Sequence, residues 1–402
     1  MTTSTTCGRL STRPPNGLRQ RATDDAFAPV VRESPNATMT TTPTPTPIVF
    51  AIPTINLPLE SARETPNHAA VRARWQASFP GAAQSESVDR EEFFELANAY
   101  FALVGAAVPY RVAIGDVPQS EANTIYLGRY RKHSFCVGAD HDALDGFRWP
   151  DLRAVRCAEQ WYEQRAFRDA AGRWIGVFDI PAEDGCGIGA ANSLPSALSV
   201  YARDADRDVF LKVVSHAKYG CWKVHIPRGT SPKNVWDIIL GELEYTVVHL
   251  AGSPRAILAS AWTDLRYEYR LIVIDGQVVA GAGCIDAMDP YFAVETPFDP
   301  QMETYRNCGE IARLPALAQS YAAFGYELAA RAVREQATMR HYTLDLALNP
   351  QGRIVVVECN PTLNFGLYCA RYEHILPAIL RACEPSTASP SRRAERTLCP
   401  EK

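Results

Sequence analysis

The segment that most constrains this chain is a hairpin near its C-terminal end. Tyr342-Thr-Leu-Asp-Leu-Ala-Leu348 alternates along its length, Asn349-Pro-Gln-Gly352 has turn chemistry, and Arg353-Ile-Val-Val-Val-Glu-Cys359 returns as a second strand. A four-residue loop sets Leu348 opposite Arg353 and Asp345 opposite Val356. Glu358 then shares the face of Asp345, one diagonal step along, because side chains alternate faces. Asn360 continues that face and Pro361 ends the strand. The run Ile354-Val-Val-Val357 reads as a strand buried on both sides. Two carboxylates and an amide oxygen therefore converge where apolar residues normally pack. Like charges so close are unfavourable unless a cation lies between them, and hard oxygen ligands at this density suit Mg²⁺. The alternative, an exposed polar strand face, sits poorly with the apolar run.

The chain has 402 residues, enough for two or three units with sizeable cores. A net charge of −4 argues against a general nucleic-acid or anionic-membrane binder. No run approaches the roughly 18 apolar residues of a membrane span. Eleven cysteines at irregular spacing, without a C-x-x-C pair, read as thiols in a reducing cytosol, so the chain is expected to be soluble and cytoplasmic. Residues 1–47 are rich in Thr, Pro, Arg and Ser and read as a disordered segment. Asp24, Asp25 and Glu33, with no clear amphipathic period, argue against an organellar transit peptide, and Met39 is an alternative start. Residues 385–402 read as a disordered tail.

From 48 to 195 strands and helices alternate, as in an α/β unit: strands at Ile48–Ile55, Tyr110–Ile114, Thr124–Leu127 and Trp174–Phe178, a helix capped at Asp89, and a helical stretch over 159–170. Gly185-Cys-Gly-Ile-Gly189 invites a dinucleotide-binding reading, but Pro195 would break the helix such a motif must open. From Val209 the character changes. Val209-Phe-Leu-Lys-Val-Val214 is a strand with a lysine inside it, which is costly to bury without an anionic partner. Lys212, Lys218, Lys223, Arg228 and Lys233 give 209–236 five basic residues and no acidic one, a phosphate-facing pattern whose alternative is a solvated loop. Glu268-Tyr-Arg-Leu-Ile-Val-Ile274 meets Asp275-Gly276, a hairpin signal, and places Glu268 and Arg270 on one face, either in a site or as a surface ion pair. Leu317, Tyr321, Phe324 and Leu328 sit at helical spacing and read as core.

Asp345, Glu358 thirteen positions later, and Asn360 in Glu-Cys-Asn-Pro resemble the magnesium triad of the ATP-grasp superfamily, of which D-alanine–D-alanine ligase is one type. Lys212 resembles the strand lysine that contacts the nucleotide. The loop with Gly220 and Lys223 resembles the lid over the triphosphate. Leu258-Ala-Ser-Ala-Trp262 resembles the strand leading to the adenine-reading linker, and Glu268 sits where the family often has a ribose- or site-facing acid. The resemblance covers about 200 to 384. It implies an α/β fold of ATP-grasp type, with two α+β subdomains clasping ATP: a lid subdomain over 196–262 and a metal-bearing one over 263–384, after an N-terminal α/β domain at 48–195. It departs at Thr343, where these ligases carry an arginine. Arg270, Arg306 or Arg313 would have to substitute, and the lid loop is bulkier than usual.

The resemblance implies ATP and Mg²⁺ (or Mn²⁺) as cofactors, bound by Asp345, Glu358 and Asn360 for the metal and by Lys212, Lys223, Trp262 and Glu268 for the nucleotide. Lys223 and Arg270 are the catalytic candidates, Arg270 as the group orienting an acyl phosphate. The implied reaction joins a small-molecule or peptide carboxylate to an amine through that acyl phosphate, without nucleic acid or membrane, and a homodimer is left open. A kinase on the same fold is the alternative. A nucleotide-binding scaffold and a metal-dependent hydrolase are more distant ones.

Overall fold

Alternation along one strand divides the molecule into two cores. In β8 (Arg266–Ile274), Tyr269, Leu271 and Val273 face one side while Ile272 and Ile274 face the other, and all five are buried. Such a strand must lie at the centre of a sheet covered on both faces. It pairs antiparallel with β9 (Gln277–Gly283) through the Asp275-Gly276 turn and with β12 (Tyr342–Leu348). The order is β13-β12-β8-β9, with β13 spanning Ile354–Pro361. The computed structural model describes residues 47–62, 64–115, 125–128, 158–214, 220–285, 296–306, 308–335, 340–361, 366–368 and 370–383. The expected N-terminal segment up to residue 46, the tail, and residues 215–219 of the lid loop, with His216 and Lys218, lie outside the described residues.

One face of this sheet packs with the N-terminal unit. Strands β1 (Ile48–Ile52), β2 (Arg111–Ile114) and β3 (Ile125–Gly128) form a parallel sheet in the order β2-β1-β3. Helix α1 (Pro66–Ser78) buries Trp75. Helix α2 (Arg90–Gly105) starts at Asp89, whose carboxylate accepts the Glu92 amide at 2.9 Å as the sequence pattern predicts. Phe93, Phe94 and Leu103 of α2 join Ile272 and Ile274 in one core, closed by Ile375 and Ile379 of the last helix (Tyr372–Cys383).

The opposite face packs on Tyr321 and Leu328 of the helix Pro315–Arg334, and on α3 (Arg165–Ala171), which follows a 3₁₀ turn at Ala158–Glu163. A small hairpin of β10 (Gln301–Glu303) and β11 (Ile311–Arg313) lies beside β9. A separate antiparallel sheet has the order β4-β7-β5-β6, formed by Ile175–Phe178, Ile257–Ala261, Arg207–Val213 and Cys221–Ile226. The helices Leu194–Tyr201 and Pro232–Leu250 cover one side of it. Among the described residues no helix is long and apolar enough to cross a membrane.

Two expectations change. The boundary at 195 falls inside a unit, because β4 pairs with β7 and so belongs to the sheet of β5 and β6. Gly185–Gly189 lies in the turn-rich connection after β4, a strand of an antiparallel sheet, which removes the βαβ setting that dinucleotide binding needs. Pro195 does not break the following helix but sits in its first turn behind the Ser193 cap, where a missing N–H costs nothing.

Gly283 closes β9 against β10: a methyl group there would meet the Gln301 carbonyl oxygen at 2.2 Å. Gly283→Ala should lower the unfolding free energy by about 1–3 kcal/mol in urea titrations. Gly105→Ala, with open space around it at the end of α2, should be neutral or raise it by up to about 1 kcal/mol.

Candidate functional site

The hairpin β12–β13 departs from the expected register in two compensating ways. Leu348 pairs with Ile354 rather than with Arg353, one residue out of the four-residue-loop register. Continued regularly, that pairing would set Asp345 opposite Val357 and turn Glu358 to the apolar face of Leu344 and Leu346. A bulge intervenes: Leu346 pairs with Val356, Val357 is passed over, and Asp345 pairs directly with Glu358 and Thr343 with Asn360. The triad thus shares one face as expected, but by a different route. β13 is also an edge strand: Val355 and Val356 are buried while Ile354 and Val357 are half-buried. The expectation of a strand buried on both sides is corrected accordingly. Cys359 points away into the core with Leu344.

Around this face the charges pair closely. Arg270, opposite Asp345 in the β8–β12 ladder, grips it through Nε–Oδ1 and Nη2–Oδ2, both at 2.7 Å. Asp345 is wholly buried and Arg270 nearly so. The surface pairing of Arg270 with Glu268 does not occur. Lys212 of β5 reaches from the other sheet to Glu358, with Nζ 2.5 Å from Oε2. The Asn360 amide nitrogen donates to Asp345 Oδ2 at 3.2 Å and to Glu358 Oε1 at 3.0 Å. Burial alone would raise the Glu358 carboxyl, but the Lys212 charge and hydrogen bond and the Asn360 amide outweigh it and hold the carboxyl well below the usual range. Burial would lower the Lys212 ammonium, yet Glu358 overcomes it and raises it.

Glu268 lies on the same face. Its carboxylate, the Cys284 thiol and Asp345 have ligand atoms within 4.8 Å of one another. Burial, then the charge of Asp345, push Glu268 up to about 7 against the opposing Arg306. Burial and these acids raise the Cys284 thiol well above its ordinary value, so it stays neutral. Arg306 reaches Tyr368 Oη at 3.3 Å, and the Arg270 guanidinium lies 4.9 Å from the centre of the Tyr368 ring. Arg313 is exposed on the small hairpin. The Thr343 hydroxyl is fully buried with no hydrogen-bond partner.

The remaining candidates share the other face of the lid sheet. Phe210 pairs with Lys223 and Lys212 with Cys221, so all four point to one side, opposite the core of Val209, Leu211 and Val224. Lys223 pairs with Asp208 at 2.8 Å and lies 4.9 Å from the centre of the Trp262 ring. It is not brought to the acid cluster among the described residues, and His225 also binds Asp208, at 2.8 Å. The Trp262 amide donates to the Asp208 carbonyl at 2.9 Å, so it is not free to read an adenine edge, while the ring is exposed. Cys284, Tyr368 and Arg173 were not found by sequence reasoning, because their approach to the site depends on strand ends and loops that carry no periodic signal.

Residues 205–377 match an ATP-grasp domain family, the second of its clade. The chain carries an ATP-grasp domain. The matched segment of this domain runs from β5, with Lys212, through the triad on β12 and β13. Similar solved structures include D-cycloserine synthetase DcsG, at 12% identity, 84% coverage of this chain, 100% of that one and a TM-score of 0.44. Others are biotin carboxylase from Campylobacter jejuni, at 12%, 86%, 72% and 0.41, and D-alanine–D-alanine ligase from Bacillus anthracis, at 9%, 84%, 97% and 0.38. These likenesses are distant and add nothing to the assignment. A search among curated proteins returns no match.

In the ATP-grasp domain Asp345 owes its ionised, buried state to Arg270. Arg270→Met should cost about 3–5 kcal/mol in chemical denaturation, since it strands a buried charge. The double substitution Arg270→Met with Asp345→Leu should recover most of that loss, and an additive double would refute the pairing.

Proposed function

We propose that this protein is an ATP- and Mg²⁺-dependent ligase that joins a carboxylate to an amine through an acyl phosphate. The observation that carries the reading is the contact between Lys212 and Glu358 at 2.5 Å. It brings the basic strand of one sheet onto the acid strand of the other, inside a segment matching the ATP-grasp domain. A nucleotide's phosphates and their cation need such a junction of fixed positive and negative groups.

The donor set fits Mg²⁺. Asp345, Glu358 and Asn360 are hard oxygen donors whose side chains already meet within 3.2 Å. Glu268 adds a further carboxylate, whereas the neutral Cys284 thiol is no ligand for a hard ion. When bound, Mg²⁺ neutralises phosphate charge and draws out the γ-phosphoryl group.

The chain's own residues do the rest. Lys212 can exchange Glu358 for a phosphate oxygen without losing an anionic partner, so nucleotide entry leaves no stranded charge. Arg270, fixed by Asp345, has its Nη1 on the Gly366 carbonyl at 3.3 Å. It is placed to steady a carboxylate while its oxygen attacks the γ-phosphorus and ADP leaves. The amine then attacks the acyl carbon, phosphate departs, and the amine proton passes to the released phosphate or solvent. Lys223 and Trp262, paired on the outer part of the same face, are assigned to the nucleotide's distal portion. The acid and amine are small molecules or peptide ends by this reading.

Calorimetric titration with a non-hydrolysable ATP analogue tests it. Binding by wild type should depend on Mg²⁺, and Glu358→Ala should weaken the Mg²⁺-dependent part at least about ten-fold, or ~1.4 kcal/mol. A folded wild type that binds no analogue with or without Mg²⁺ sinks the proposal. With substrates, formation of an amide together with ADP and phosphate supports the ligase, and a stable phosphorylated product with ADP alone supports the kinase instead.

A further inference from the structure

Helix α3 stops at Ala171. Gly172 takes a left-handed turn at φ 63°, and the next residue, Arg173, is laid along the outer edge of β13. Its guanidinium donates from Nη1 to the Val356 carbonyl at 2.6 Å and from Nη2 to the Val357 carbonyl at 2.9 Å, with a longer bond to Ala171 O at 3.3 Å. Successive carbonyls of a regular strand point to opposite edges. One planar fork can take two consecutive carbonyls only where the strand is bulged, and the bulge lies here: Val356 pairs with Leu346, Val357 is passed over, and Glu358 pairs with Asp345. β13 is the edge of its sheet, so no neighbouring strand satisfies these carbonyls. Burial lowers Arg173 to about 10, with Glu358 opposing, which leaves it charged at neutral pH.

We infer that Arg173 is a positioning residue for Glu358: its fork holds the bulge that turns Glu358, and Asn360 with it, onto the face of Asp345. The side chains it governs are two of the three proposed Mg²⁺ ligands, so the functional consequence rests on the ligase reading. The structural claim does not. Arg173 itself lies before the segment that matches the ATP-grasp domain. Val356 and Val357 are β-branched and favour regular extended pairing. Without the fork, the pairing that begins at Leu348–Ile354 would run on and carry Glu358 to the side of Leu344. A lysine carries one point charge and cannot bridge both carbonyls in the plane of a fork.

Crystal structures and Mg²⁺-dependent binding of the ATP analogue, for Arg173→Met and Arg173→Lys in the full chain, decide it. In Arg173→Met the bulge should be lost or displaced and Glu358 should part from Lys212. The Mg²⁺ concentration for half-maximal analogue binding should rise about ten-fold or more, as for the loss of a group that orients metal ligands. Analogue binding without Mg²⁺ should change by less than about two-fold, a split that general destabilisation would not produce. Arg173→Lys should fall between the two. A bulge and a Glu358–Lys212 contact that persist in Arg173→Met overturn the inference, whatever the binding data. Should Arg173→Met fail to fold, an Arg173→Lys protein identical to wild type in both measurements overturns it equally. A wild type without Mg²⁺-dependent binding would sink the ligase reading alone, since the crystal structures still judge Arg173.

Discussion

A β-strand exposes alternate residues to opposite faces, and in this protein one extra residue in β13 decides which face receives the chemistry. With Val357 bulged out, Glu358 and Asn360 stand beside Asp345, Arg270 and Lys212. With regular pairing the same residues would be driven into the core around Leu344, Leu346 and Val356. The consequence is an all-or-none placement. No small adjustment of side-chain angles moves a carboxylate through a sheet, so the site depends on a backbone irregularity being held.

The charges gathered there make sense only as a set. Asp345 is fully buried, and an isolated carboxylate in that position would lose several kcal/mol of hydration. Arg270 meets it with a bidentate pair, and Lys212 meets Glu358, so each acid has one cation. Glu268, crowded by Asp345 and by burial, is the group that gives way and shifts towards neutrality. Such pairs are weak contributors to stability compared with apolar packing, but they fix oxygen positions closely. Fixed oxygens are what a small hard cation requires.

The site also joins parts of the chain that are distant in sequence. Lys212 comes from the lid sheet and the acids from the central sheet. The N-terminal unit contributes Glu95, whose carboxylate accepts the amides of Leu367 and Tyr368. Tyr368 in turn carries its ring against Arg270 from a backbone with φ 48°. The loop next to the acid strand is therefore tied to α2 on one side and to Arg270 and Arg306 on the other. A change in packing between the N-terminal unit and the central sheet would be felt at Arg270 through these few contacts.

Much of this was legible from residue order. The alternation of Tyr342–Leu348, the Asp275-Gly276 turn, the Asp89 cap and the lysine inside Val209–Val214 each encode a local preference, and each reappears as the expected element. The convergence of Asp345, Glu358 and Asn360 was legible as well, because period two acts over a few residues. The register that achieves it was not: loop length and bulge are settled by how the two strands meet, and the two one-residue differences cancel. Arg270 as the partner of Asp345, rather than of Glu268, required knowing that β8 lies next to β12. The place of β4 beside β7, and of Arg173 on β13, depends on contacts between segments about 80 and 180 residues apart. By itself the sequence determined the strands, the acids and the lysine, since those follow from neighbours along the chain. Only the tertiary structure decided which charge meets which, because pairing across strands is chosen by the burial of whole faces and not by any residue's immediate neighbours.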